Sequence, residues 1–109
     1  MEANINKALT MLSIATKAGK VVSGGFMTEK AIQEGIAYLV IISEDASNNT
    51  KKKFTDKCTY YHVPYRICAN SEFLGRLIGK QARMTVAVTD SGLANQITNR
   101  LDSSKNMEV

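Results

Sequence analysis

The sequence predicts an α/β fold, a three-layer α/β/α sandwich with a small, four-stranded mixed sheet, and three observations carry that prediction. Apolar residues recur at helical spacings of three and four in segment after segment. Between these segments lie short β-branched runs, one of which, YLVIIS from Tyr38 to Ser43, is continuously apolar, the pattern of a strand covered on both faces. The two kinds of segment alternate, which places helices on both sides of one sheet.

The elements follow in chain order. Ile5, Ala8, Leu9, Leu12 and Ala15 define one face of a first helix, with Lys17 suited to its last turn and Gly19 to its left-handed end. Val21 and Val22 make a short strand before Ser23, Gly24 and Gly25. A second helix is expected from about Phe26 to Glu34, with Met27, Ala31 and Ile32 inward and Gly35 as its stop. The strand at YLVIIS should be central in the sheet. Asp45 or Ser47 can cap a third helix that buries Phe54, Cys58 and Tyr61 and turns Lys51, Lys52, Lys53, Asp56 and Lys57 outward. Pro64 fits the turn before a strand at Tyr65 to Cys68. Asn70 can cap a fourth helix carrying Phe73, Leu74, Leu77 and Ile78, closed by Gly79. The last strand is read at Met84 to Asp90, and Thr89 or Asp90 can cap a final helix burying Leu93, Ile97 and Leu101.

A chain of 109 residues supports one core, so a single domain is expected over residues 1–101, with a frayed polar tail over 102–109. The apolar share is 44%, and the longest apolar run is far below the ~20 residues of a membrane helix. The N-terminus lacks the basic start and continuous apolar centre of a secretion signal, because Glu2, Asn4, Asn6 and Thr10 interrupt it, so a cytoplasmic location with no membrane partner is expected. Cys58 and Cys68 have neither CxxC spacing nor histidine neighbours, and are read as buried thiols with no metal site. Lys and Arg total 14 against 10 Asp and Glu, a net charge of +4 that suits a polyanionic partner and ordinary solubility equally.

Catalytic constellations do not assemble. SGGFMTEK matches neither the GxGxxG fingerprint nor a P-loop, so nucleotide cofactors are not expected. His62 stands alone at a helix end and reads as a cap or surface residue. Glu44 and Asp45 follow a strand where they more plausibly begin the next helix. What remains is the Gly24-Gly25 turn, where the first N–H groups of a helix carry the positive end of its dipole, with Lys30 behind and Lys17 and Lys20 flanking. Such a place is either a solvated turn or an anion site. The Lys51 to Lys53 run is a competing basic surface, read mainly as a solvated helix face. Phe54, Tyr61 and Phe73 fall at core spacing, so no aromatic stacking platform is indicated.

The segments ATKAGKVVSGG, TEKAIQEGIAYLVIISEDAS, DASNNTKKKFTDKC, HVPYRICANSEFLGRLIGK and TVAVTD carry a resemblance. So does the ordered set Lys30, Gly35, the apolar strand, Asp45, Pro64, Leu74, Gly75 and Gly79. From about residue 5 to 100 the chain resembles the kink-turn RNA-binding superfamily of archaeal seven-A-type and thirty-e-type ribosomal proteins, and most of all its bacterial YlxQ-like branch. The resemblance implies a non-catalytic protein that binds structured RNA, a kink-turn or ribosomal RNA, as a cytoplasmic monomer without DNA or cofactor. It implies that the helix start at Ser23, Gly24, Gly25, Phe26 and Met27 enters the groove at the bent site, and that Lys30 holds a phosphate or a guanine edge. The loop Ile67, Cys68, Ala69 and Asn70 would then cover the extruded nucleotide. One departure stands out: other members commonly have Asn-Glu where this chain has Phe26 and Met27, which cannot hydrogen-bond base edges. Phe26 can stack on a base or pack inward, and packing is favoured. The competing function is a protein-protein adaptor using the same fold without RNA.

Overall fold

The computed structural model describes the backbone of residues 2–107 and the side chains of residues 5–103. In chain order the elements are α1 (Glu2–Leu9), α2 (Met11–Lys17), β1 (Val21–Ser23), α3 (Gly25–Gln33), β2 (Leu39–Ile42), α4 (Asn48–Tyr60), β3 (Tyr65–Ile67), α5 (Ser71–Leu77), β4 (Thr85–Val88) and α6 (Ser91–Met107). The sandwich expected from sequence is present, with a mixed four-stranded sheet in the order β1-β4-β2-β3. β2 runs parallel to β3, and β4 runs antiparallel to both of its neighbours, β1 and β2.

Alternation along β2 divides the core. Leu39 and Ile41 face one side, where they pack with Leu9, Leu12, Leu74, Val86, Val88 and Ile97 under α1, α2, α5 and α6. Val40 and Ile42 face the other, with Ile32, Phe54, Cys58 and Ala87 under α3 and α4. All four residues of β2 and all four of β4 are buried, as a strand sandwiched between helical layers requires.

Four local expectations are corrected. The first helix is two helices, because the Thr10 N–H and its Oγ1 both donate to the Lys7 carbonyl, at 3.2 and 2.7 Å, and tighten the chain into a turn there. The inward face nevertheless continues through Ala8, Leu9, Met11, Leu12 and Ala15, all buried. Tyr61 is 41% exposed rather than inward, since α4 ends at Tyr60 and Tyr61 is its C-cap. Met27, expected inward, is exposed in the first turn of α3. Finally, the polar stretch from Asp102, expected to fray, is helical as far as Met107. Arg66 of β3 grips it, donating from Nε and Nη2 to the Asp102 carboxylate at 3.1 and 3.0 Å. Residues 108–109 of the expected tail lie outside the described residues.

Between the two candidate caps for α4, Ser47 takes the role, its hydroxyl accepting from the Thr50 N–H at 3.1 Å. Asp45 instead reaches across to the start of α5. Its two carboxylate oxygens accept from the Ser71 N–H at 2.9 Å and from the Ser71 hydroxyl at 2.7 Å. Asn70 caps α5 as the sequence indicates, and of the two candidates for α6, Thr89 and Asp90, Asp90 takes the role. The register puts Ser23 beside Val86, Ile42 beside Thr85 and Ile42 beside Ile67. The ends of β1, β2 and β3 therefore share one edge of the sheet with the start of β4.

Candidate functional site

At this edge β1 turns into α3 through Gly24. Its N–H donates to the Thr85 carbonyl at 3.0 Å, and its backbone sits at φ 86°, ψ 162°, a region that side chains disfavour. Helical bonding begins with the Thr28 N–H donating to the Gly24 carbonyl at 3.0 Å. The N–H groups of Gly25, Phe26 and Met27 consequently have no partner within the helix, and no side chain caps them. No acidic residue stands in this first turn, so the positive end of the dipole is left uncompensated.

The helix start is held on both flanks. Thr28 and Thr85, both fully buried, join hydroxyl to hydroxyl at 3.1 Å and pin the first turn of α3 to β4. On the other flank the Glu29 carboxylate meets Lys57 at 3.1 Å and Lys53 at 3.2 Å, which ties α3 to α4. Hydrogen bonds from Lys57 and then Lys53 hold the Glu29 carboxyl below the usual carboxylate range. Lys52 pairs with Asp56 at 3.0 Å. Three of the four lysines of α4 thus have partners within the fold, which agrees with reading the Lys51 to Lys53 run mainly as a solvated face.

The structure gathers some of the expected site residues and separates others. Lys30 is exposed, one turn behind Phe26 on the same helix face. Ser23 accepts from Arg83 Nε at 3.2 Å. Phe26 is 76% exposed, so the inward packing favoured from sequence is corrected. The inward positions of α3 are Thr28, Ala31 and Ile32, and at about 100° per residue Phe26 points away from all three. Met27, on the flank of the helix, is 42% exposed.

Lys17 and Lys20 do not join this group. The Lys20 carbonyl accepts from the Thr89 N–H at 2.8 Å, at the far end of the sheet from Gly24. The length of β1, about 10 Å at the rise of a strand, lies between. The Ile67–Asn70 loop does lie on the shared edge, on the opposite side of the sheet from β1. Cys68 donates its N–H to the Ile42 carbonyl at 3.0 Å, and the Ala69 carbonyl accepts from the Glu44 N–H at 2.8 Å. The Cys68 and Ala69 side chains are buried, so only Ile67 and Asn70 turn outward, and the Asn70 amide oxygen is occupied as the cap of α5.

Two residues on this edge were not among the expected site residues. Arg83 and the exposed Met84 precede β4, which begins at Thr85 rather than at Met84 as expected from sequence. Arg83 is placed by the close approach of its loop to α5: the Lys80 N–H donates to the Gly75 carbonyl at 2.8 Å and the Arg83 N–H to the Ser71 carbonyl at 3.0 Å. Gly75, a glycine inside a helical pattern, was the available signal, because such a glycine often marks a backbone passing close by. The result is a hydrogen-bonded chain from Asp45 through Ser71 and Arg83 to Ser23, spanning the edge.

At the far end an open depression of about 710 Å³ is lined by Cys58, His62, Pro64, Arg66 and Asp102, among others. Burial pushes the Cys58 thiol up to about 11, which leaves it protonated and unreactive near neutral pH, and Arg66 is engaged by Asp102. Among the described residues no cluster of three His, Cys, Asp or Glu could hold a metal ion, and no helix is long and apolar enough to cross a membrane.

Comparison with known proteins places this geometry. Residues 6–98 match the ribosomal protein L7Ae/L30e/S12e/Gadd45 family. The chain is 52% identical over 92 residues to the RNA-binding protein YlxQ of Bacillus subtilis (strain 168), covering 84% of this chain and 92% of the relative. It is 31% identical over 101 residues to the large ribosomal subunit protein eL8 of Cenarchaeum symbiosum (strain A), covering 92% and 80% respectively. The solved structure of the Giardia lamblia 15.5kD RNA binding protein superposes with a TM-score of 0.80 at 19% identity, covering 98% of this chain and 92% of that one, a likeness of fold.

Proposed function

The chain belongs to the ribosomal protein L7Ae/L30e/S12e/Gadd45 family, in its bacterial YlxQ-like branch, and from that premise we propose that it binds a structured, kink-turn-like RNA without catalysing a reaction. The observation that carries the proposal is the start of α3, where three uncapped N–H groups open a first turn without an acidic residue, Lys30 stands one turn behind, and the nearby Glu29 carboxylate is paired with Lys53 and Lys57. Such an array favours a phosphate, and an exposed lysine on the same face extends the favourable field along a backbone. Ser23, Gly24, Gly25, Phe26, Met27 and Lys30 form the contact surface in this reading, with Arg83 beside them and Ile67 and Asn70 at its far side. Lys17 and Lys20 take no part. The relatives' names support RNA as the partner, and the reading extends to a cytoplasmic monomer associated with ribosomal or other structured RNA.

The test is filter binding or fluorescence anisotropy with a kink-turn duplex and a straight duplex of the same composition, across a salt series. With about four phosphates contacted, log K for the kinked RNA should fall with log salt at a slope of about −3 to −4. Lys30→Ala should make the slope shallower by about 1 while circular dichroism stays unchanged. Absence of measurable affinity for either RNA at low salt refutes the reading and favours the adaptor. An unaltered slope in Lys30→Ala removes Lys30 from the surface.

A further inference from the structure

We propose that Phe26 is a base-stacking residue, and that an unpaired RNA base lies against its ring while the adjoining phosphate faces the open amides of Gly25, Phe26 and Met27. This deepens the reading above and rests on it. The fold makes no use of the Phe26 ring. At 76% exposure it is the most exposed of the large apolar side chains among the described residues, and it points away from the inward face of its helix. Its own N–H is one of the three uncapped donors, so an apolar ring face and an anion-seeking backbone are presented by the same residue.

A protein side chain satisfies one of those two demands at a time. A nucleotide satisfies both, since its phosphate and the π-face of its base are joined by one sugar. The surroundings suit such an occupant. Lys30, four residues on, is placed for the next phosphate, and the exposed side chain of Met27 stands in the same first turn. Stacking on an aromatic ring tolerates any base identity, so this position selects for an unpaired base without choosing which one. The preference conferred is for a flipped-out or bulged nucleotide over a continuous duplex.

The experiment uses the full chain and a kink-turn RNA carrying 2-aminopurine in turn at each bulge position, read by fluorescence and by affinity. Phe26→Ala, Phe26→Leu and Phe26→Trp are compared, and because the side chain is exposed each should melt with the wild type. One bulge position should be quenched by the wild type and more strongly by Phe26→Trp. Phe26→Ala and Phe26→Leu should abolish that quenching and weaken binding about 10-fold, within a range of about 5- to 150-fold. If Phe26→Leu quenches and binds like the wild type, the ring does not stack and the inference is overturned, although RNA binding itself stands. If Phe26→Ala binds normally and Lys30→Ala does not, the result is the same. A wild type that fails to retain the RNA overturns both readings.

Discussion

Two neighbouring glycines at one turn invite the assumption that they serve one purpose, and the structure separates them. In Gly24→Ala the new Cβ meets nothing within 4 Å, so the whole cost is backbone conformation at φ 86°, ψ 162°. Holding a non-glycine residue there costs about 1–3 kcal/mol. Alanine also restricts the unfolded chain, which returns about 0.4–1 kcal/mol. The net loss is about 0.6–2 kcal/mol, equivalent for a domain of this size to a melting temperature lower by on the order of 3–10 °C. Gly25 is the first residue of α3 with no positive φ, and a Cβ there also meets open space. Gly25→Ala should therefore melt with the wild type or slightly above it. Thermal and urea unfolding followed by circular dichroism under identical conditions make the comparison. Equal melting of Gly24→Ala and wild type, or an equal fall in Gly25→Ala, would falsify the assignment of strain to Gly24 alone. With the fold undisturbed, Gly25→Ala then isolates close approach to the ligand: its methyl stands beside the open amides, and weakened RNA binding is the expected result.

Further measurements probe the supports of the same edge. Gly75→Ala drives a Cβ onto the Gln81 carbonyl, so a loss of about 1–3 kcal/mol or more is expected by denaturant titration, together with a displaced Arg83. Thr28→Val leaves the Thr85 hydroxyl buried without its partner and should cost about 1–3 kcal/mol. The double variant Thr28→Val with Thr85→Val should recover part of that loss, and simple additivity of the two single losses would show that the hydroxyls do not interact. Asp45 governs a pH effect. The Ser71 hydroxyl, seconded by the Ser71 N–H, holds its carboxyl below the ordinary value of 3.8, so its contribution is fully present above that value and is lost as pH falls through the lowered one. Stability should decline more steeply below about pH 4 in the wild type than in Asp45→Asn, and parallel acid limbs for the two proteins would exclude the contribution.

The parts of the fold legible in the sequence were those set by periodicity and by single-residue chemistry. YLVIIS announced a strand buried on both faces, and Asn70 and Asp90 announced their helices, because each signal is local. Thr10 was not legible as a break, since the apolar face runs straight through it and the competing hydrogen bond to Lys7 is made by one hydroxyl. Phe26 was misjudged because hydrophobicity predicts burial only on average, while the orientation of α3 is fixed by Thr28, Ala31 and Ile32. Thr28 itself went unread: a polar residue becomes a core residue here only because Thr85, 57 positions away, supplies its partner. Lys17 and Lys20 were grouped with Gly24 by proximity in sequence, and a three-residue strand was enough to carry them to the other end of the sheet. Ala69, with φ at 63°, occupies a left-handed position usually signalled by glycine or asparagine, so its turn left no trace in composition.

The stitching of Asp45 to Ser71, Ser71 to Arg83 and Arg83 to Ser23 fastens loops from four separate crossings into a single rim. A rim tied in this way resists distortion, so in the proposed complex it serves as a mould. Whatever rearrangement accompanies association falls on the softer body, and the entropy surrendered is chiefly the ligand's own. The encounter rate should accordingly follow how often the free ligand visits the complementary bend, and should respond little to substitutions that only loosen side chains elsewhere in the protein.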